Sequence, residues 1–214
     1  VQQRHPILGL SRRRAIVLAS AGLVLPASRP AAAAEVGLVS ALRGTATASR
    51  GGETRTLHVG AAVHGADSLR TGEGARLLVT LADGSTLAIG ERSTLVVTTI
   101  TAATAGGGSM VFDLLAGIVR AVLGPARPDL FAVRGRVAVA AARSTDFVVE
   151  TSAGLTTVFV AAGSVAVDEL YGPGATELGQ GQGIDVRRGV AIGGPRDWGR
   201  ARIDDVLART AVEG

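Results

Sequence analysis

The chain has 214 residues, of which 47% are hydrophobic, 19% charged and only 3% aromatic, so its core has to be assembled from Val, Leu, Ile and Ala. Cysteine is absent, which excludes disulfides, thiolate metal sites and thiol nucleophiles. The net charge of +4 does not mark a nucleic-acid binder: five of the 22 basic residues (Arg4, Arg12, Arg13, Arg14 and Arg29) precede Glu35, leaving 17 Arg against 18 Asp and Glu.

Residues 1–34 read as an export signal, with a basic start, an apolar run over 15–25, a breaker at Pro26 and small residues before Glu35. The run is too short for a transmembrane helix. Ser11-Arg12-Arg13-Arg14-Ala15-Ile16 resembles a twin-arginine export motif, with Arg12 and Arg13 as the pair and Ala15 where Phe is usual. Ala32 and Ala34 fit the small-residue cleavage pattern, and cleavage after Ala34 leaves residues 35–214. The mature chain is therefore expected in a periplasm, with no stable membrane span.

From Val36 the pattern alternates with period two. Residues 36–40, 44–48 and, behind an Arg50-Gly51-Gly52 turn, 54–59 read as short half-buried strands. Two turns lie within 60–72. Strands over 75–82 and 85–89 flank Asp83-Gly84, which suits a two-residue type I′ turn and is the strongest hairpin signal in the chain. A strand over 94–101 precedes a Thr/Ala/Gly-rich loop at 102–109, which reads as mobile. Segments over 110–115 and 118–123 flank Gly117, and Pro125-Ala126-Arg127-Pro128 then turns the chain.

The densest apolar stretch, 137–167, sets strands at 137–141, 147–150, 155–160 and 164–167 around a polar knot, Arg143-Ser144-Thr145-Asp146-Phe147. In that knot Phe147 is expected in the core, Asp146 to cap local backbone groups, and Arg143 to pair with Asp146 or Glu150. After a Tyr171-Gly172-Pro173-Gly174 loop, strands are expected at 176–178, 184–187 and 190–192. Ile203, Val206, Leu207 and Thr210 then recur at helical spacing, with Asp197 as N-cap, so a short C-terminal helix should pack on the sheet. The pattern implies an all-β domain over 35–194, with about thirteen strands in two packed, mainly antiparallel sheets, and the helix within 195–214. A β-roll or short solenoid is the alternative. One weak regularity recurs: aliphatic-x-Gly-x-small at Leu42-Gly44, Leu115-Gly117 and Ala161-Gly163, with a Leu-plus-Gly turn at 57–60 and again at 178–179.

In chain order, 39–48, 57–60, Asp67-Ser68-Leu69-Arg70-Thr71-Gly72, Leu81-Ala82-Asp83-Gly84-Ser85-Thr86-Leu87 with Ser93-Thr94-Leu95, 115–119, Arg143 to Phe147, and 160–167 around Gly163 with 178–183 resemble the FecR domain. That is the periplasmic module of transmembrane regulators that relay an outer-membrane transporter's state to a cytoplasmic sigma factor. The resemblance spans about 36–186 and implies a jelly-roll-like sandwich. Its motif residues here are Asp67, Thr71, Gly72, Asp83, Gly84, Ser85, Arg143, Thr145, Phe147 and Gly163. Ser144 stands where the family motif has Gly. An export signal is expected in place of the regulators' cytoplasmic and membrane segments, so direct sigma-factor control is not implied.

No catalytic constellation assembles. His58 and His64, read in a strand and a turn, are a poor metal pair without a third ligand, and no Gly-x-Ser-x-Gly elbow is present. Neither enzyme activity nor a metal or cofactor is expected. The expected role is a non-enzymatic binding or signalling module whose partner is another envelope protein, joined by strand addition at an exposed sheet edge, with no nucleic-acid partner and the oligomeric state open. A carbohydrate or envelope-polymer binder is the alternative, and it would need exposed aromatics.

Overall fold

The computed structural model describes residues 34–101, 108–124, 129–142 and 145–212, without the side chains of 99–101. Arg12, Arg13 and Ala32 of the export signal, residues 102–107 of the glycine loop, and Arg143 with Ser144 lie outside the described residues. In the first third of the domain the strands are β1 (Glu35–Arg43), β2 (Ala46–Arg50), β3 (Glu53–Thr56), β4 (Ala62–His64), β5 (Ser68–Thr71), β6 (Arg76–Leu81) and β7 (Thr86–Ile89). Next come β8 (Thr94–Thr101), β9 (Ser109–Val122), β10 (Leu130–Arg134), β11 (Ala138–Ala142), β12 (Asp146–Ser152) and β13 (Leu155–Ala162). The chain closes with β14 (Val165–Glu169), β15 (Ala175–Leu178), β16 (Gln182–Arg187), β17 (Arg196–Asp197) and the helix α1 (Arg200–Thr210). No helix among the described residues is long and apolar enough to cross a membrane.

These strands form two sheets joined by one shared strand. Sheet A runs β4-β1-β6-β7-β9-β12-β13-β16-β17. Sheet B runs β3-β2-β5-β8-β9-β10-β11-β14-β15. Every described pairing is antiparallel except β9 with β10. The architecture is therefore the expected pair of packed, mainly antiparallel sheets with a short C-terminal helix. The two segments read on either side of Gly117 are one strand, which serves sheet B up to Ala116 and sheet A from Gly117 onward.

The weak glycine regularity marks the places where the chain changes sheet. Gly44, Gly117 and Gly163 all have positive φ at crossings between the sheets, as do Gly60, which ends the first Leu-plus-Gly turn, and Gly181, which follows the second. Ala66 and Arg92 adopt the same left-handed backbone at two further crossings. A left-handed residue turns the backbone sharply without a long loop, which explains why so many strands fit so short a chain.

Three local readings need correction. The hairpin at Asp83-Gly84 has a three-residue turn: Gly84 N–H donates to the Leu81 carbonyl at 3.0 Å, Leu81 pairs with Ser85, and of the two only Gly84 takes positive φ. That is a type I turn closed by a left-handed glycine, and the two-residue turn with both φ positive lies instead at Gly51-Gly52. Residues 190–192 form no strand: the chain turns away from β16 at Gly189, which has positive φ, with the Val190 N–H donating to the Arg187 carbonyl at 3.2 Å, and it rejoins the sheet only at Arg196. Asp197 does not cap the helix; β17 pairs it with Gln182, and Gly199 becomes the N-cap with no side-chain bond.

The core between the sheets is aliphatic except for three fully buried rings, Phe112, Phe131 and Phe147. Phe131 bridges the other two, with centroids 5.4 Å from Phe112 and 6.3 Å, edge-on, from Phe147. A second cluster lies on the outer face of sheet A, where Ile118, Val148 and Phe159 meet Val206 of α1. Phe147→Ala is expected to lower stability by about 3–5 kcal/mol through cavity formation. A denaturant melt checks this, and a change within about 1 kcal/mol would mean that the ring is dispensable to the core.

Candidate functional site

Apart from the core residue Phe147, the described motif residues fall into three polar knots. In the first, Asp83 Oδ1 accepts the Ser85 N–H at 2.9 Å and Oδ2 accepts the Ser85 hydroxyl at 2.7 Å. Ser85 Oγ in turn accepts the Gly124 N–H at 2.9 Å. The neighbouring Leu123 N–H donates to the Thr145 carbonyl, and Thr145 Oγ1 donates to the Ser164 carbonyl beside Gly163. Asp83, Gly84, Ser85, Thr145 and Gly163 are thus brought to one end of the sandwich, with Phe147 below them in the core.

The second knot joins Thr71 to Ser93. Thr71 Oγ1 donates to the Gly90 carbonyl at 2.6 Å and accepts the Ser93 N–H at 2.9 Å. Ser93 Oγ accepts the Ile118 N–H at 3.0 Å, immediately past the bend at Gly117. Gly72 lies close over Thr45, where a Cβ would be 2.6 Å from Oγ1.

The third knot is Asp67, whose side chain is fully buried. It takes a two-pronged ion pair from Arg55, the His64 N–H at 2.8 Å, and the charge of Arg50 at 3.9 Å. Burial alone would raise the Asp67 pKa, but the Arg55 hydrogen bond, the His64 amide and the two guanidinium charges outweigh it and hold the carboxyl below the ordinary carboxylate range. Arg55 also donates to the Ala62 carbonyl at 3.0 Å, tying β3 to β4. His64 lies in β4 and His58 in the turn before it. Among the described residues no group of three His, Asp or Glu is placed to hold a metal.

Asp146 does not cap the backbone. Its carboxylate forms a bidentate pair with Arg120 of β9, at 2.8 and 2.6 Å. Glu150 pairs with Arg209 of α1, fastening the helix to β12. Arg202 donates to Asp185 of β16 at 2.7 Å and lies 3.7 Å over the Trp198 ring, whose other face stacks on Phe159 at 4.8 Å. Trp198 therefore offers no open face to a sugar. None of these long-range pairs has a local sequence signal: Arg120 and Asp146 are 26 residues apart, and Glu150 and Arg209 are 59 apart.

Ala34 precedes β1, and its carbonyl accepts the Gly65 N–H at 2.9 Å. At the far end of sheet A, β17 covers only Gln182 and Gly183 of the six-residue β16. Beside Ile184, Asp185 and Arg187 the chain swings away through Gly193 and Gly194, leaving a groove of about 520 Å³ bounded on the other side by Arg196 and Trp198. This half-covered edge was not singled out in the sequence, where 190–192 read as a further strand.

Two packed sheets with polar knots and a partly unpaired strand edge place the chain in the β class. Residues 67–166 match the FecR protein family model, so the chain is related to FecR proteins over that part of its length. Two crystal structures of a candidate anti-sigma factor from Parabacteroides distasonis, at 2.50 and 1.65 Å, share the fold, with TM-scores of 0.54 and 0.53 at 19% and 18% identity. The similarity covers 65% of this chain and 63% and 64% of theirs, so the chain spans less than two thirds of those proteins. No match was found among curated protein sequences.

Asp67→Asn is expected to destabilise the fold by roughly 2–3 kcal/mol at neutral pH, less than for a wholly buried pair because Arg55 is partly exposed. Because the folded pKa is depressed, this contribution is complete above the unfolded value of about 4 and fades as pH falls below it. Parallel melts of both proteins at neutral and strongly acidic pH check this, since an equal difference at both would show that Asp67 is not ionised in the fold.

Proposed function

We propose that this chain is an exported, periplasmic, non-enzymatic module that binds another envelope protein by accepting a strand on the open side of β16. The observation that carries the reading is the two-residue β17, which leaves most of the β16 edge facing a groove instead of a neighbour. Exposed edges of this kind are templates for strand addition, with backbone hydrogen bonds giving affinity and alternate side chains giving specificity. The relation to FecR proteins over residues 67–166 supports an interaction and signalling role over a catalytic one. The motif residues agree with that role, because Thr71, Ser85, Ser93 and Thr145 spend their polar atoms on backbone groups at corners.

Photo-crosslinking in intact cells tests both halves of the proposal. A photoreactive residue at Val190 or Arg196, in the walls of the groove, should give one specific adduct with an envelope protein, recovered from the periplasmic or membrane fraction. The same residue at Arg92, on a corner away from the groove, should give none. Adducts of equal yield at all three positions, or retention of the protein in the cytoplasm, would contradict the reading.

A further inference from the structure

The groove beside β16 opens at its Arg187 end onto a second surface, since Arg187 and Val190 line both. There the β10–β11 link, the β12–β13 turn, the β14–β15 loop and the exit from β16 converge around two adjoining hollows of about 450 and 200 Å³. Two backbone bonds fix the arrangement: Leu170 N–H donates to the Val137 carbonyl at 3.0 Å, and Arg188 N–H to the Gly154 carbonyl at 2.9 Å.

Two independent features concentrate here. Four of the eight large apolar residues that are exposed among the described residues lie at this end: Leu115, Leu170, Tyr171 and Val190, with Tyr171 64% exposed. Four arginines lie among them, Arg134, Arg136, Arg187 and Arg188. The acidic residues in the same walls, Asp113 and Glu169, are outnumbered by the arginines. Asp113 faces Arg134 at 3.4 Å and accepts the Thr98 hydroxyl at 2.8 Å, and Glu169 accepts the Gly174 N–H at 3.3 Å. Among the described residues Arg136 and Arg188 have no carboxylate within ion-pair distance, and Asp185, the carboxylate near Arg187, is paired with Arg202. The Arg188 guanidinium lies 4.5 Å over the Tyr171 ring, which fixes it as a flat, weakly hydrated cation with donors still free.

We propose that this end of the sandwich recognises an acidic segment of a partner polypeptide. Its carboxylates would be held by Arg136, Arg187 and Arg188, and an aliphatic or aromatic side chain would be seated against Tyr171, Leu170 and Leu115. Guanidinium groups match carboxylates in planar, two-pronged geometry. Aliphatic side chains between them favour a polypeptide over nucleic acid, whose bases would need open aromatic faces, and one face of Tyr171 is already covered. The inference rests on the protein-binding reading and names the partner's chemistry. A strand added along β16 would run off its end into these arginines.

The test is selection from a random displayed peptide library on the full chain. Enriched peptides should carry net negative charge with at least one Leu, Phe, Tyr or Trp. By fluorescence anisotropy the best of them should bind at least about tenfold more weakly to the Arg136→Glu/Arg188→Glu double variant and lose affinity as salt is raised. Arg136→Gln/Arg188→Gln should show an intermediate loss, and each variant is compared only where its melting midpoint matches the parent's. Neutral or basic peptides whose binding ignores both pairs of substitutions would overturn this inference and leave the protein-binding reading standing. Displacement of the peptide by a single-stranded oligonucleotide at lower concentration would overturn it in favour of nucleic acid. Failure to enrich any peptide would also overturn it, and the crosslinking at Val190 and Arg196 would then decide the broader reading alone.

Discussion

The two sheets of this fold meet in one strand at the bend at Gly117. The residue has φ +89°, and a Cβ there would overlap Ser93 Oγ and approach its Cα to 2.6 Å, so only glycine fits. On one side of the bend β9 pairs with β8 and β10 of sheet B, and on the other with β7 and β12 of sheet A. The two halves of the sandwich share this strand as the centre of both sheets. Ser93, fully buried, fastens the bend by accepting the Ile118 N–H, and Thr71 fastens Ser93.

The same problem, leaving one sheet for the other without stranding backbone groups, recurs along the whole chain. Its solution explains why a family pattern made of Asp, Ser, Thr and Gly need not describe a catalytic site. Most of these short polar side chains sit at a crossing, with Asp83 and Ser85 at a hairpin of sheet A, and they bond backbone N–H or carbonyl groups that the ladder has released. The large aromatic members of the core then hold the sheets apart at the proper spacing. Polar chemistry is consumed internally, which moves the surface available for recognition to the loop ends and the incompletely paired edge of β16.

Much of this could be read from the sequence, for identifiable reasons. Period-two alternation located nearly all the longer strands because each has one face in the core. The aliphatic-x-Gly regularity at Gly44, Gly117 and Gly163 found three true crossings, although a linear reading could not tell a crossing from an ordinary turn. Asp83-Gly84 misled because the pair suits two turn types, and the choice depends on whether Ala82 joins the loop. Asp197 misled because the cap was lost to a two-residue strand formed with Gln182, 15 residues earlier. The recognition surface was not legible at all. Arg134-x-Arg136, Tyr171 and Arg187-Arg188 are separate short signals that converge only once the ends of β10 and β14 in sheet B and of β16 in sheet A meet at one end of the sandwich.

The dependence of both sheets on one bend is most directly tested by hydrogen exchange on Gly117→Ala. Amides of β7 and β12 in sheet A and of β8 and β10 in sheet B should lose protection together, since the substitution strikes the strand that all four share. Protection equal to the parent's in both sheets, or its loss in one sheet alone, would contradict the claim that β9 couples them.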